Sequence, residues 1–175
     1  MSNRILIACI GNIFLGDDAF GVEMAKRLAQ RSLPEGVTLI DFGIRSYDLA
    51  YALMKDWELV ILVDALPRGG RPGTLYILEP ELGDTAEMSF DAHTMNPCSA
   101  LQLVRALGGQ VGRLRVVGCE PQNVEPNANG NIGLSLAVTH ALDEAVHMID
   151  ELIIHTLAAS LRLHNEGDLQ CLHQR

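Results

Sequence analysis

Three stretches of this chain are apolar almost without interruption for the length of one strand: ILIACI at 5–10, ELVILV at 58–63 and RLRVVGC at 113–119. A strand with one wet face alternates apolar and polar residues, whereas a strand covered on both faces does not need to. Runs of this length, bounded by turn residues, therefore predict strands in the middle of a sheet that is roofed on both sides. Two shorter candidates, VTLID at 37–41 and TLYILE at 74–79, extend the set.

Helical periods fill the gaps. Residues 18–31 carry Phe20, Met24 and Leu28 at four-residue spacing, with Asp17 or Asp18 expected to cap the start. Residues 46–55 and 96–107 predict shorter helices. Residues 135–159 predict the longest, with Val138, Leu142, Ala145, Ile149 and Leu152 on its apolar stripe. Alternating strands and helices imply an α/β fold, a three-layer sandwich with helices on both faces of a mostly parallel sheet. One link breaks the rule. The stretch between Asp64 and Thr74 holds Pro67, Gly69, Gly70, Pro72 and Gly73, and it is too short and too rich in Pro and Gly for a crossover helix. The strand at 74–79 is therefore expected to be antiparallel, at an edge. The pattern predicts one domain over residues 1–160 and a polar, fraying tail over 161–175, where periodicity is lost.

Charge and cysteine use exclude several function classes. A net charge of −9, with no Lys/Arg-rich run, gives no electrostatic reason to bind nucleic acid or an anionic membrane surface. The apolar run near the N-terminus is too short for a signal peptide or a membrane span. Cys9, Cys98, Cys119 and Cys171 form no CxxC pair, which fits a reducing compartment, and the expected location is the cytoplasm. There is no GxSxG elbow, and Cys98 lacks a catalytic signature.

The residues that could carry chemistry are acidic. GNIFLGDD, Gly11 to Asp18, links a buried strand to a helix, but it has neither GxGxxG spacing nor a P-loop lysine, and its two carboxylates would repel phosphate. Asp64 closes the run LVILVD at the carboxyl end of a buried strand. Ligands of open α/β sheets bind beyond that end, where strand order reverses. If the first and third strands are neighbours, Asp18 and Asp64 face one crevice. His93, in FDAHTMNP, precedes a helix, and together with the two carboxylates it would make a divalent metal site. His140, Glu144, His147 and Glu151 also recur on one helix face, but that face lies opposite the apolar stripe and reads as solvated.

Taken in order, GNIFLGDDAFGVEMAKRL (Gly11–Leu28), LVILVDAL (Leu59–Leu66) with PGTLYIL (Pro72–Leu78), DAHTM around His93, and LRVVGCEPQNVEP (Leu114–Pro126) with Gly133-Leu134-Ser135 resemble the nickel–iron hydrogenase maturation protease family. The resemblance spans residues 4–155. It implies a metal-dependent, aspartyl-type endopeptidase that recognises nickel in the precursor of a hydrogenase large subunit and removes its C-terminal extension. It carries the catalytic and metal-contacting roles to Asp18, where several members have Glu, and to Asp64 and His93. Nickel would be supplied by the substrate, and another divalent cation could occupy the site in isolation. Two other readings predict different behaviour. A metal-binding assembly module of the same fold would bind but not cleave. A flavodoxin-like oxidoreductase would carry flavin, which the acidic turn disfavours.

Overall fold

The computed structural model describes residues 4–80, 97–125 and 133–172, with side chains described up to residue 162 and excluding those of 97 and 98. The three apolar runs are β1 (Ile5–Ile10), β3 (Leu59–Ala65) and β5 (Arg113–Cys119). With β2 (Val37–Gly43) and β4 (Leu75–Leu78) they form a five-stranded sheet in the order β2-β1-β3-β5-β4. The pairs β1–β2, β1–β3 and β3–β5 are parallel, and β4 runs antiparallel to β5. The short Pro/Gly link after Asp64 thus returns the chain to a sheet edge as expected.

Among the described residues four helices cover the sheet: α1 (Phe20–Ala29), α2 (Ser46–Leu53), α3 (Pro97–Ala106) and α4 (Leu136–Leu172). Successive strand residues point to opposite faces, and both sets are apolar. Ile5, Ile7 and Cys9 of β1 pack with Phe20, Met24 and Leu28 of α1 and with Val138, Ala145 and Ile149 of α4. Leu6, Ala8 and Ile10 pack on the other face with Leu49 and Leu53 of α2 and Val104 of α3. Each of the Val, Leu, Ile, Phe and Met side chains among them contributes about 1.5–3 kcal/mol when fully buried, which is why strands without a polar face are stable only as the middle layer.

Two helix boundaries differ from expectation. The chain before α1 forms a 3-10 turn, Gly16–Ala19, and no side chain caps either the turn or α1. Asp17 and Asp18 are engaged elsewhere. α4 runs on to Leu172, past the point where its apolar period ends. Once a helix is nucleated and docked, each added residue costs little, and Leu, Arg, Glu and Gln in LRLHNEGDLQCL are good helix formers. His140, Glu144, His147 and Glu151 are exposed, as a solvated face requires.

Candidate functional site

The parallel order places the ends of β1 and β3 side by side. Cys9 is level with Val63 in the ladder, so the chain leaves β1 at the height of Asp64. Two glycines let α1 come down onto that edge. At Gly11 (φ 147°) a Cβ would lie 2.0 Å from the carbonyl oxygen of Asp18. At Gly21 it would lie 2.1 Å from the Ile10 oxygen and 2.4 Å from the Val63 oxygen. Backbone cannot yield at such distances, so the first turn of α1 sits directly on the strand ends because glycine stands there.

The turn from Gly11 to Ala19 is closed by its own polar groups. The Leu15 N–H donates to the Asn12 oxygen (3.1 Å) and the Asp18 N–H to the Leu15 oxygen (3.2 Å). The Asn12 N–H donates to Asp18 Oδ2 at 2.9 Å. Asp18 is therefore half-buried, with one oxygen held by the turn. Burial raises its pKa, and the Asn12 N–H partly offsets that rise. Asp64 is half-buried beside it and accepts from the Ala65 N–H at 2.8 Å. Its pKa stands well above the ordinary carboxylate value, first because burial disfavours the ion and second because the charge of Asp18 repels it. Among the described residues neither carboxylate takes part in an ion pair. The structure thus brings Asp18 and Asp64 together. His93 lies outside the described residues, and among those described no third His, Cys, Asp or Glu joins the pair in a metal-binding group.

Two acidic residues nearby do other work. Asp17 is 1% exposed, and its carboxylate accepts from the backbone N–H groups of Gln122 (2.8 Å), Asn123 (3.2 Å) and Ser135 (2.6 Å). It is a tie between distant segments, not the helix cap that its position suggested. Glu120, 4% exposed, accepts from the N–H groups of Arg68 (2.9 and 3.0 Å) and Gly69 (3.0 Å) and from the Tyr76 hydroxyl (2.8 Å). Burial opposes its charge, but the Tyr76 hydroxyl and the N–H groups of Arg68, Gly70 and Gly69 outweigh burial and lower its pKa. Sequence reasoning passed over Glu120, although an acid directly after a buried strand is the same signal that singled out Asp64.

The buried thiols are poor nucleophiles. Burial, then the charges of Asp41 and Asp64, pushes Cys9 up, and burial, then Asp17 and Glu120, pushes Cys119 up to about 12. The chemistry available at this edge is that of a carboxylate pair whose charge no described cation balances.

The family description "hydrogenase maturation protease" matches residues 22–152, three quarters of the chain. The chain belongs to the hydrogenase maturation protease family. A protein of Methanocaldococcus jannaschii provisionally named as such a protease is 33% identical over 152 residues, covering 83% of this chain and 93% of that one. The hydrogenase 2 maturation protease of Escherichia coli is 29% identical over 148 residues, covering 83% and 88%. The structure of the hydrogenase maturating endopeptidase HybD from Escherichia coli superposes with a TM-score of 0.71 at 28% identity, over 87% of this chain and 93% of that one. The α/β fold and the hydrogenase-maturation endopeptidase activity expected from the motifs are those of these relatives.

Proposed function

We propose that this chain is an endopeptidase that removes the C-terminal extension from the precursor of a nickel–iron hydrogenase large subunit, and that it reads the nickel already installed there through Asp18, Asp64 and His93. The observation that supports it is the uncompensated pair: Asp18 raises the pKa of a half-buried Asp64, and no described cation relieves the repulsion. A divalent ion between the two would relieve it, and carboxylate oxygens with an imidazole suit nickel. Nickel is here part of the substrate. A loaded precursor gains the attraction of the pair, whereas an unloaded one leaves two carboxylates repelling each other, so binding energy itself tests whether the metal is in place. Asp18 is held for this by the Asn12 N–H, which fixes one oxygen, and among the described residues nothing hydrogen-bonds to the other.

Membership of an endopeptidase family disfavours a non-catalytic assembly module. It also sets aside a flavin-carrying oxidoreductase, which would need a phosphate-binding turn where this chain has Asp17 and Asp18. Among the described residues no helix is long and apolar enough to cross a membrane, and the buried free thiols Cys9 and Cys119 agree with action in the cytoplasm. The test is incubation of the purified chain with large-subunit precursors, with and without nickel, followed by mass measurement of the large subunit. Loss of a C-terminal peptide only from the loaded precursor is expected. Equal cleavage of the nickel-free form would overturn the recognition role.

A further inference from the structure

Asp17 presents a full set of hydrogen bonds that the proposed chemistry does not use. Its donors, Gln122, Asn123 and Ser135, lie more than a hundred residues along the chain, just after β5 and just before α4. Its own N–H donates to the Asn123 oxygen at 3.0 Å, so the contact runs both ways.

Beyond Asp17, the turn from Gly11 to Ala19 is held at its two ends, where the Gly11 N–H donates to the Gly43 oxygen (3.1 Å) and Ala19 is buried, while its middle stands out from the core. Ile13 and Phe14 are 40% and 69% exposed. Helix α1, by contrast, is anchored by Phe20, Met24 and Leu28 in the core whatever the turn does. Loss of the Asp17 carboxylate's bonds would therefore loosen the turn on the side facing Gln122, Asn123 and Ser135 without undoing the packing of the helix. Asp18 is the next residue on that turn. We propose that Asp17 is a positioning residue: its carboxylate fastens the turn to the β5–α4 junction and thereby sets where the Asp18 carboxylate sits over the end of β3. The proposal rests on the reading of Asp18 as a site residue.

The hydrogen bonds dictate an unusual test. In Asp17→Asn one oxygen becomes an amide that donates. If the amide faces Ser135, two donors confront each other, because Oδ1 now accepts the Ser135 N–H. Ser135→Pro removes that N–H, just before a helix start where proline is tolerated. Ser135→Ala is the control, since both changes lose the Ser135 hydroxyl but only proline loses the N–H.

Cleavage of a nickel-loaded large-subunit precursor that the wild-type chain processes is followed at several substrate concentrations, below the melting temperature of each variant. In Asp17→Asn, kcat is expected to fall on the order of tenfold or more with KM changed less than about twofold, as misplacement of a reacting group predicts. Ser135→Pro should show a smaller fall of the same kind relative to Ser135→Ala. The double variant Asp17→Asn/Ser135→Pro should recover part of the kcat lost in Asp17→Asn alone, because the donor clash is gone.

A folded Asp17→Asn with unchanged kcat, or with its loss entirely in KM, overturns the proposal. If Asp17→Asn does not fold, the Ser135 pair decides, and equal kcat in Ser135→Pro and Ser135→Ala overturns it. Asp18→Asn, run alongside, separates the two ideas. Inactive Asp18→Asn with normal Asp17 and Ser135 variants defeats the positioning role alone. Fully active Asp18→Asn defeats the site reading itself.

Discussion

The negative charge of Asp18, on the turn after β1, raises the pKa of Asp64, at the end of β3, on top of the rise that burial already imposes. Two carboxylates set side by side at a strand edge are a cost to the free protein, and folds keep such costs where a ligand removes them.

That cost gives a pH dependence with a definite sign. The folded-state pKa of Asp64 lies above its unfolded-state value, so the fold favours the protonated form. The stability from this group is complete below the ordinary carboxylate range and is lost as pH rises through the raised folded-state value. Asp64→Asn mimics the protonated form at every pH. Thermal melts of the metal-free protein should show Asp64→Asn more stable than wild type at about pH 7, with the gap narrowing towards about pH 5. An Asp64→Asn variant less stable than wild type at neutral pH would mean that the pair is not under repulsion.

Processing should respond differently from stability. Asp18→Asn keeps an oxygen for the Asn12 N–H and removes the charge a cation needs, so the melt should stay within a few degrees of wild type while cleavage of the nickel-loaded precursor drops by about a hundredfold. His93→Gln retains a polar group of similar reach but loses the imidazole, and the same split is expected. Mass measurement of the large subunit beside a melt of each variant reads both quantities. Wild-type cleavage by both variants would remove these residues from the mechanism.

The parts of this arrangement that could be read from sequence are those written in side-chain pattern. ILIACI and LVILV cannot be surface strands, and the Pro/Gly link from Asp64 to Thr74 cannot carry a helix, so the parallel core and the antiparallel β4 both followed. The role of Asp17 could not be read, because its partners are backbone N–H groups over a hundred residues away, and a backbone donor leaves no mark on residue identity. Two adjacent aspartates before a helix look like a cap, yet here one ties in α4 and the other closes its own turn. Glu120 stood in the sequence as an acid directly after a buried strand, but its partners could not be read there: its N–H donors belong to Arg68 and Gly69, on a link whose composition announced only a turn. That Asp18 and Asp64 would lie near one another was legible, because the parallel order sets the ends of β1 and β3 side by side.

Glu120 ties the link after Asp64 to the end of β5 through the N–H groups of Arg68 and Gly69, and its ionisation has the opposite sign to that of Asp64. Its pKa is lowered on folding, so its stabilising effect is present above the ordinary carboxylate range and is lost as pH falls through the lowered value. Glu120→Gln puts an amide donor against the N–H groups of Arg68 and Gly69. Its melting temperature should fall on the order of 5 °C at neutral pH. The gap to wild type should close on acidification through the carboxylate range, the reverse of the Asp64→Asn trend. Parallel pH profiles for the two variants would refute the assignment of opposite shifts.

At Gly21 three strand backbone atoms crowd the position of a Cβ, which offers a test of whether glycine there serves contact or conformation. Its backbone is not among the positive-φ positions, so alanine is free to adopt its angles. The added methyl, however, would meet the Ile10 oxygen at 2.1 Å, the Val63 oxygen at 2.4 Å and the Ile10 nitrogen at 2.7 Å, all backbone atoms of strands locked in the sheet. Helix α1 must then lift from β1 and β3, opening the buried contacts of Phe20 and Met24. Overpacking of this kind costs about 3 kcal/mol or more, which for a chain of this size lowers the melting temperature by roughly 6–12 °C. Gly69→Ala is the opposite case. A Cβ there meets nothing within 4 Å, but φ is +80°, so only conformational strain of about 1–2 kcal/mol is expected. The two variants should therefore rank with Gly21→Ala clearly the less stable in a denaturant titration, and only Gly21→Ala should also slow precursor cleavage, because the lifted helix carries the Asp18 turn away from Asp64. A Gly21→Ala variant as stable as Gly69→Ala would show that α1 does not rest on the strand ends as described.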